Sequence, residues 1–264
     1  MHLSRPRAVL SALLSLSLLL ASCVKEDRYD CPCRLSVDLS SYVGFTDRMT
    51  LYGWHSGQEV FGCSVLEDAF AEPYEVDVPR SVISYCAWCG AEGMGRTDDA
   101  LLVVEGKDCA PLFAYGASVA TVGERAYDKV LLRKQHCRVT LSLSNIPSPE
   151  QGSLEVLVRS RWSGLALPSL EALQGSFRYV ESIGEEGECE FLLPRQGDDS
   201  IEADILLDSQ AVFTIPLGRL IAEKGYDWSA EDLDDVWVSV DWGLGEAHVS
   251  ILGWTNGWVH EEEI

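Results

Sequence analysis

The octapeptide CRLSVDLS, Cys33 to Ser40, returns as CRVTLSLS from Cys137 to Ser144. Four of the eight positions are identical, and three others exchange like for like. Strict alternation puts Leu35, Val37 and Leu39 on one face of the first segment, and Val139, Leu141 and Leu143 on one face of the second. A period of two is the signature of a half-buried strand. Each copy is followed by a polar, turn-rich stretch and then by a β-rich run ending in tryptophan and glycine: MTLYGWHSG from Met49, and SLEVLVRSRWSG from Ser153. Such a repeat predicts two similar β domains in tandem, residues 31–128 and 129–264, joined near Tyr127 to Lys134.

The remaining sequence extends the same pattern. VISYCAWC from Val82, ALLVVEG from Ala100, ADILLD from Ala203 and VWVSVDW from Val236 are short β-rich runs bounded by Gly, Pro, Asp or Ser. Helix signals are few: Pro216 to Lys224 reads as a short amphipathic helix ending at Gly225, and Ser229 with Asp232 as the cap of another turn. Many short strands with turn signals predict an all-β protein of two sandwiches with few short helices, not a parallel α/β sheet.

Ahead of the first domain, Arg5 and Arg7 form a short basic region, and Ala8 to Ala21 is an apolar run broken only by serines. Small residues then lead into Cys23, which is the layout of a secretory signal over residues 1–22. The run is shorter than the about 20 apolar residues that span a bilayer. Leu20-Ala21-Ser22-Cys23 resembles the bacterial lipobox, which implies a diacylglyceryl group on Cys23 and an acylated amine. Acyl chains contribute about 0.8 kcal/mol per buried CH2 and hold a chain on a membrane without spanning it. Residues 23–30 then form a lipidated linker. Within it Lys25-Glu26-Asp27 resembles the export signal that places lipoproteins of Bacteroidetes-type bacteria on the outside of the outer membrane.

Removal of the signal leaves 18 basic against 42 acidic residues, a net charge of −24. Such a surface repels phosphate backbones, so nucleic acid is not an expected partner. Nearly half of the chain is apolar, 47%, which predicts a folded protein. Besides Cys23 there are eight cysteines: Cys31, Cys33, Cys63, Cys86, Cys89, Cys109, Cys137 and Cys189. An even number outside the cytoplasm permits a disulfide framework whose pairing the sequence leaves open, while some of them stay reduced as small buried hydrophobes.

No catalytic pattern emerges. Cys86 to Cys89, CAWC, has redox spacing, but it lies in a β-like run where residues three apart point to opposite faces, so these read as structural cysteines. A zinc site from Cys31, Cys33, Cys86 and Cys89 lacks paired-knuckle spacing. His55, His136, His248 and His260 show no HExxH spacing, and no serine sits in a GxSxG elbow. Asp98-Asp99, Asp198-Asp199 and Asp234-Asp235 lack EF-hand spacing and suit solvated loops. These readings predict neither an enzyme nor a metal or organic cofactor.

The motifs DCPCRLSVDL, APLFAYG at Ala110 to Gly116, VLLRKQHCRVTLSL at Val130 to Leu143, FTIPLGRLI at Phe213 to Ile221, VWVSVDW and VSILGW together resemble the FimB-type fimbrial anchor family of Bacteroidetes-type bacteria, over nearly the whole mature chain. The resemblance implies two transthyretin-like β-sandwich domains. It also implies a non-catalytic outer-membrane lipoprotein that ties a fimbria to the cell surface and joins fimbrial subunits by strand exchange. Cys23 would carry the anchor; the strand around Arg34 to Ser40 and the end from Val249 to Val259 would be candidates for polymer contact. Eight further cysteines and a short tail after Trp258 depart from the family pattern. The alternative is a surface glycan-binding lipoprotein associated with an outer-membrane importer, which would use exposed residues among Trp54, Trp162, Trp228, Trp237, Trp242, Trp254 and Trp258.

Overall fold

The computed structural model describes residues 31–146 and 152–254. The first half contains β1 (Cys33–Asp38), β2 (Arg48–His55), β3 (Gln58–Leu66), β4 (Tyr74–Val78), β5 (Val82–Cys89), β6 (Gly95–Arg96), β7 (Ala100–Leu102), β8 (Phe113–Ala120), β9 (Arg125–Lys129) and β10 (Arg133–Lys134). The second contains β11 (His136–Ser144), β12 (Leu154–Ala166), β13 (Ala172–Ser182), β14 (Glu188–Pro194), β15 (Glu202–Leu207), β16 (Gln210–Ile215), helix α1 (Leu217–Glu223), β17 (Asp235–Asp241) and β18 (Glu246–Leu252). VISYCAWC coincides with β5, and the other β-rich runs fall in β2, β7, β12, β15 and β17.

Strand order makes the repeat explicit. In the N-terminal sandwich, β4-β1-β9 faces β10-β8-β5-β2-β3; in the C-terminal one, β14-β11-β17-β18 faces β16-β15-β12-β7-β6, with β13 also paired to β12. The two repeated octapeptides seed equivalent strands. β1 has an antiparallel partner in β4 and a parallel one in β9, just as β11 has β14 and β17. Likewise β8-β5-β2-β3 corresponds to β16-β15-β12-β13. The alternation does what it predicts: Leu35, Val37, Leu39, Val139, Leu141 and Leu143 are all buried, each set in its own core.

Three features break the duplication. The α1 segment falls between β16 and β17, where the N-terminal sandwich has only a short connection between β8 and β9. Its Leu217 and Ile221 turn toward the core, and Gly225 at φ +80° redirects the chain after it. The capped turn expected at Ser229 is not helical, because Ser229 bonds Asp227 while Asp232 accepts the Lys134 N–H at 2.7 Å and the Arg133 guanidinium at 3.1 Å.

The second feature is β6 and β7, which leave the N-terminal sandwich between β5 and β8 and add to β12 of the other one. Val103 and Cys109, just beyond them, lie in the C-terminal core. A third apolar cluster therefore joins the sandwiches: Trp54, Cys86, Trp88 and Ala114 from the outer face of β2, β5 and β8, with Leu101, Leu165 and Leu167 opposite. Gly116 on β8 is needed at this seam, since a Cβ there would stand 2.2 Å from the Pro168 carbonyl oxygen. With both faces of its sheet covered, β5 has five consecutive buried residues, Tyr85 to Cys89.

The third feature is β18, an extra strand on β17 with no described counterpart on β9.

Candidate functional site

An edge strand presents unpaired backbone groups and is a template for another strand. β9 ends its sheet, and among the described residues no strand pairs with its outer side. The equivalent side of β17 is covered by β18 over seven residue pairs, Asp235 with Leu252 through Asp241 with Glu246. The two sheets thus differ by one strand.

The side chains of β9 follow its pleat. Val37 and Asp128 are register partners, and Val37 is fully buried, so Asp128 faces the sandwich interior. Its carboxylate accepts the Tyr85 hydroxyl at 2.8 Å and the Tyr115 hydroxyl at 3.2 Å, and Oδ1 accepts the Lys129 N–H at 3.0 Å. Burial, and after it the Asp128 charge, push the Tyr115 phenol up to about 12, so it remains a donor at neutral pH. On the outer face, Tyr127 is 62% exposed and donates to Asp38 at 2.8 Å. Neither an inward carboxylate nor the open edge is visible in the sequence RAYDK; both depend on which strands flank it.

The sequence-based candidate Arg34 to Ser40 is displaced by this geometry. β1 is hydrogen-bonded on both sides, by β4 and β9, so its backbone has no free edge for a partner. Arg34 is engaged by Asp77 through two bonds of 3.0 and 3.2 Å. Of the second candidate, Val249 is buried on β18, whose outer side is also a sheet edge, and the described chain stops at Trp254. Cys23, Lys25, Glu26, Asp27, Trp258 and His260 lie outside the described residues.

The eight described cysteines, Cys31, Cys33, Cys63, Cys86, Cys89, Cys109, Cys137 and Cys189, are free thiols, so the disulfide framework that their even number permits is not formed. Cys86 and Cys89 point to opposite faces of β5, one into the seam between sandwiches and one into the N-terminal core. Burial pushes the thiols of Cys86, Cys89 and Cys137 up to about 12, which suppresses the thiolate that nucleophilic or metal chemistry requires. Burial also pulls His136 down to about 4; its Nδ1–H meets the Leu112 carbonyl at 3.1 Å. Asp235 serves the buried Lys134 and the Arg138 N–H. Among the described residues, no three His, Cys, Asp or Glu side chains converge as a metal site, and no helix is long and apolar enough to cross a membrane.

A cleft of about 800 Å³ opens between the sandwiches, lined in part by Leu131, Arg133, Trp162, Leu170, Asp198 and Trp228. The described tryptophans are buried or half-buried. Trp54 and Trp88 are buried in the seam, and none of the others is fully exposed.

No family model matches the sequence, and no curated protein matches it as a relative. Solved structures do match the fold. The fimbrial anchor protein Mfa2 from Porphyromonas gingivalis aligns over 85% of this chain and 98% of its own, with TM-score 0.58 and 13% identity. A Bacteroides thetaiotaomicron protein described as a proposed polysaccharide binder aligns over 86% and 97%, with TM-score 0.57 and 16% identity. A proposed adhesin from Bacteroides ovatus covers 88% and 97%, with TM-score 0.58 and 12% identity. At such identities the likeness establishes a shared two-sandwich fold.

Proposed function

We propose that this chain is a non-catalytic surface lipoprotein of the FimB-type fimbrial anchor kind, acylated at Cys23, exported to the cell exterior by Lys25-Glu26-Asp27, and joined to fimbrial subunits by β-strand addition. The observation that carries the reading is the outer side of β9, open among the described residues, at the position that β18 fills in the duplicated sandwich. Backbone hydrogen bonds along such an edge supply affinity, and alternating side chains supply specificity. The fold shared with the anchor Mfa2 supports it, and a basal anchor must bear shear, which the continuous seam between the sandwiches suits. The five buried cysteines, Cys33, Cys86, Cys89, Cys109 and Cys137, act as small core residues in this reading.

Deleting the chain in its own host tests the proposal. Long fimbriae shed into the medium are the expected outcome; normally attached fimbriae, or none under any condition, would reject it. Cys23→Ala is expected to move the protein from the membrane to the soluble fraction, and persistent membrane association would reject the lipid anchor. A second reading, glycan binding beside an outer-membrane importer, is favoured by the Trp162 and Trp228 cleft alone. It calls for glycan binding that is lost in Trp228→Ala.

A further inference from the structure

The two copies of the sandwich differ most at the interior face of the open edge. Leu35 pairs with Ala126 and Val37 with Asp128; at the equivalent places Val139 pairs with Val236 and Leu141 with Val238. Val236 and Val238 are buried, and the residue opposite Val238 on β18 is Val249, only 4% exposed. Directly opposite residues of an antiparallel pair share a face, with Cβ atoms about 5 Å apart. A strand added to β9 as β18 is added to β17 would therefore set one side chain against Asp128, beneath the hydroxyls of Tyr85 and Tyr115.

We propose that Asp128, held by Tyr85 and Tyr115, selects the incoming strand: it admits a segment with lysine or arginine at the inward position opposite Asp128 and disfavours one with an aliphatic residue there. This rests on the reading of β9 as the docking edge. The chemistry follows from what the carboxylate lacks. Among the described residues its partners are two phenols and one backbone N–H, with no cation, although a carboxylate has about four lone-pair sites. Covering it with a valine would remove water and return no bond, and leaving a charge without a counter-charge on burial is costly. A basic side chain supplies both the bond and the charge. Its stem packs on the apolar residues around it, as lysine and arginine stems do on apolar surface.

Inward charges on edge strands are a known guard against unwanted pairing. Here the same group would exclude the wrong strand and recognise the right one, the two halves of specificity. An overall charge of −22 further favours a basic partner at the encounter stage.

The test uses the full mature chain carrying Cys23→Ala and labelled heptapeptides TVTKTVT, TVTVTVT and TVKVTVT, read by fluorescence anisotropy, with amide exchange over residues 125–129. The expected result is slowed exchange on β9 and about tenfold tighter binding of TVTKTVT than of the other two. Asp128→Val is expected to prefer TVTVTVT, and Asp128→Asn, which keeps the shape, to lose the lysine preference. Slowed exchange on β9 with equal affinity for inward and outward lysine would overturn the selection by Asp128 while leaving the edge in place. Binding without slowed exchange on β9, or no binding at all, would overturn the edge and the selection together.

Discussion

His136 shows how one buried polar residue sets a pH response. It opens β11 at 3% exposure, and burial lowers its pKa from 6.5 to about 4. Its folded pKa lies below the unfolded one, so the unfolded chain binds the extra proton first as pH falls. Stability is therefore complete above about 6.5 and declines toward about 4. The loss at the lower limit is on the order of 3 kcal/mol from this residue. Denaturant midpoints measured from pH 7 to pH 4.5 should fall, and His136→Gln should flatten the fall; an unchanged slope would show that other groups govern it. In the sequence, His136 was one histidine among several without catalytic spacing. That it is buried beside the Leu112 carbonyl depends on the crossing of two distant segments.

At the scale of elements, the β6–β7 hairpin decides how the halves meet. It covers the outer face of the β2–β5–β8 sheet and donates its backbone to β12. The Asp98 carbonyl accepts the Trp54 indole N–H at 3.2 Å. Replacing residues 95–102 with a glycine–serine linker should expose Trp54 and Trp88, shift tryptophan emission to the red, and divide unfolding into two transitions. A single transition at an unchanged midpoint would show that the hairpin is dispensable to the seam. ALLVVEG reads as a β-rich run, and its first three residues are β7. Which sheet it joins was not legible, since a short strand pairs with whatever edge the folded chain brings near and its own pattern fits many edges.

For the whole molecule, the connection through Lys134 couples the sandwiches. Arg133 and Lys134 pair with β8 of the first, while the Lys134 ammonium, 1% exposed, binds Asp235 and the Leu233 carbonyl of the second. It lies 4.6 Å from the centroid of Trp254, whose ring packs on Phe113. Removing one partner of a buried pair leaves the other charge uncompensated, so Lys134→Met should cost about 3 kcal/mol. Calorimetry should find both sandwiches destabilised together; loss confined to one would show that they are energetically separate.

Local periodicity determined much of this protein. The two alternating octapeptides specify equivalent strands because a period of two buries one face wherever a sheet forms, and the amphipathic stretch before Gly225 specifies α1 for the same reason at a period near 3.6. Only the tertiary structure decided that β1 is covered on both sides, that among the described residues β9 is open where β17 is not, and that Asp128 turns inward where its counterpart is Val238. Strand neighbours are chosen by long-range hydrogen bonding and burial between segments far apart in the chain, and that choice leaves no periodic trace in either segment alone.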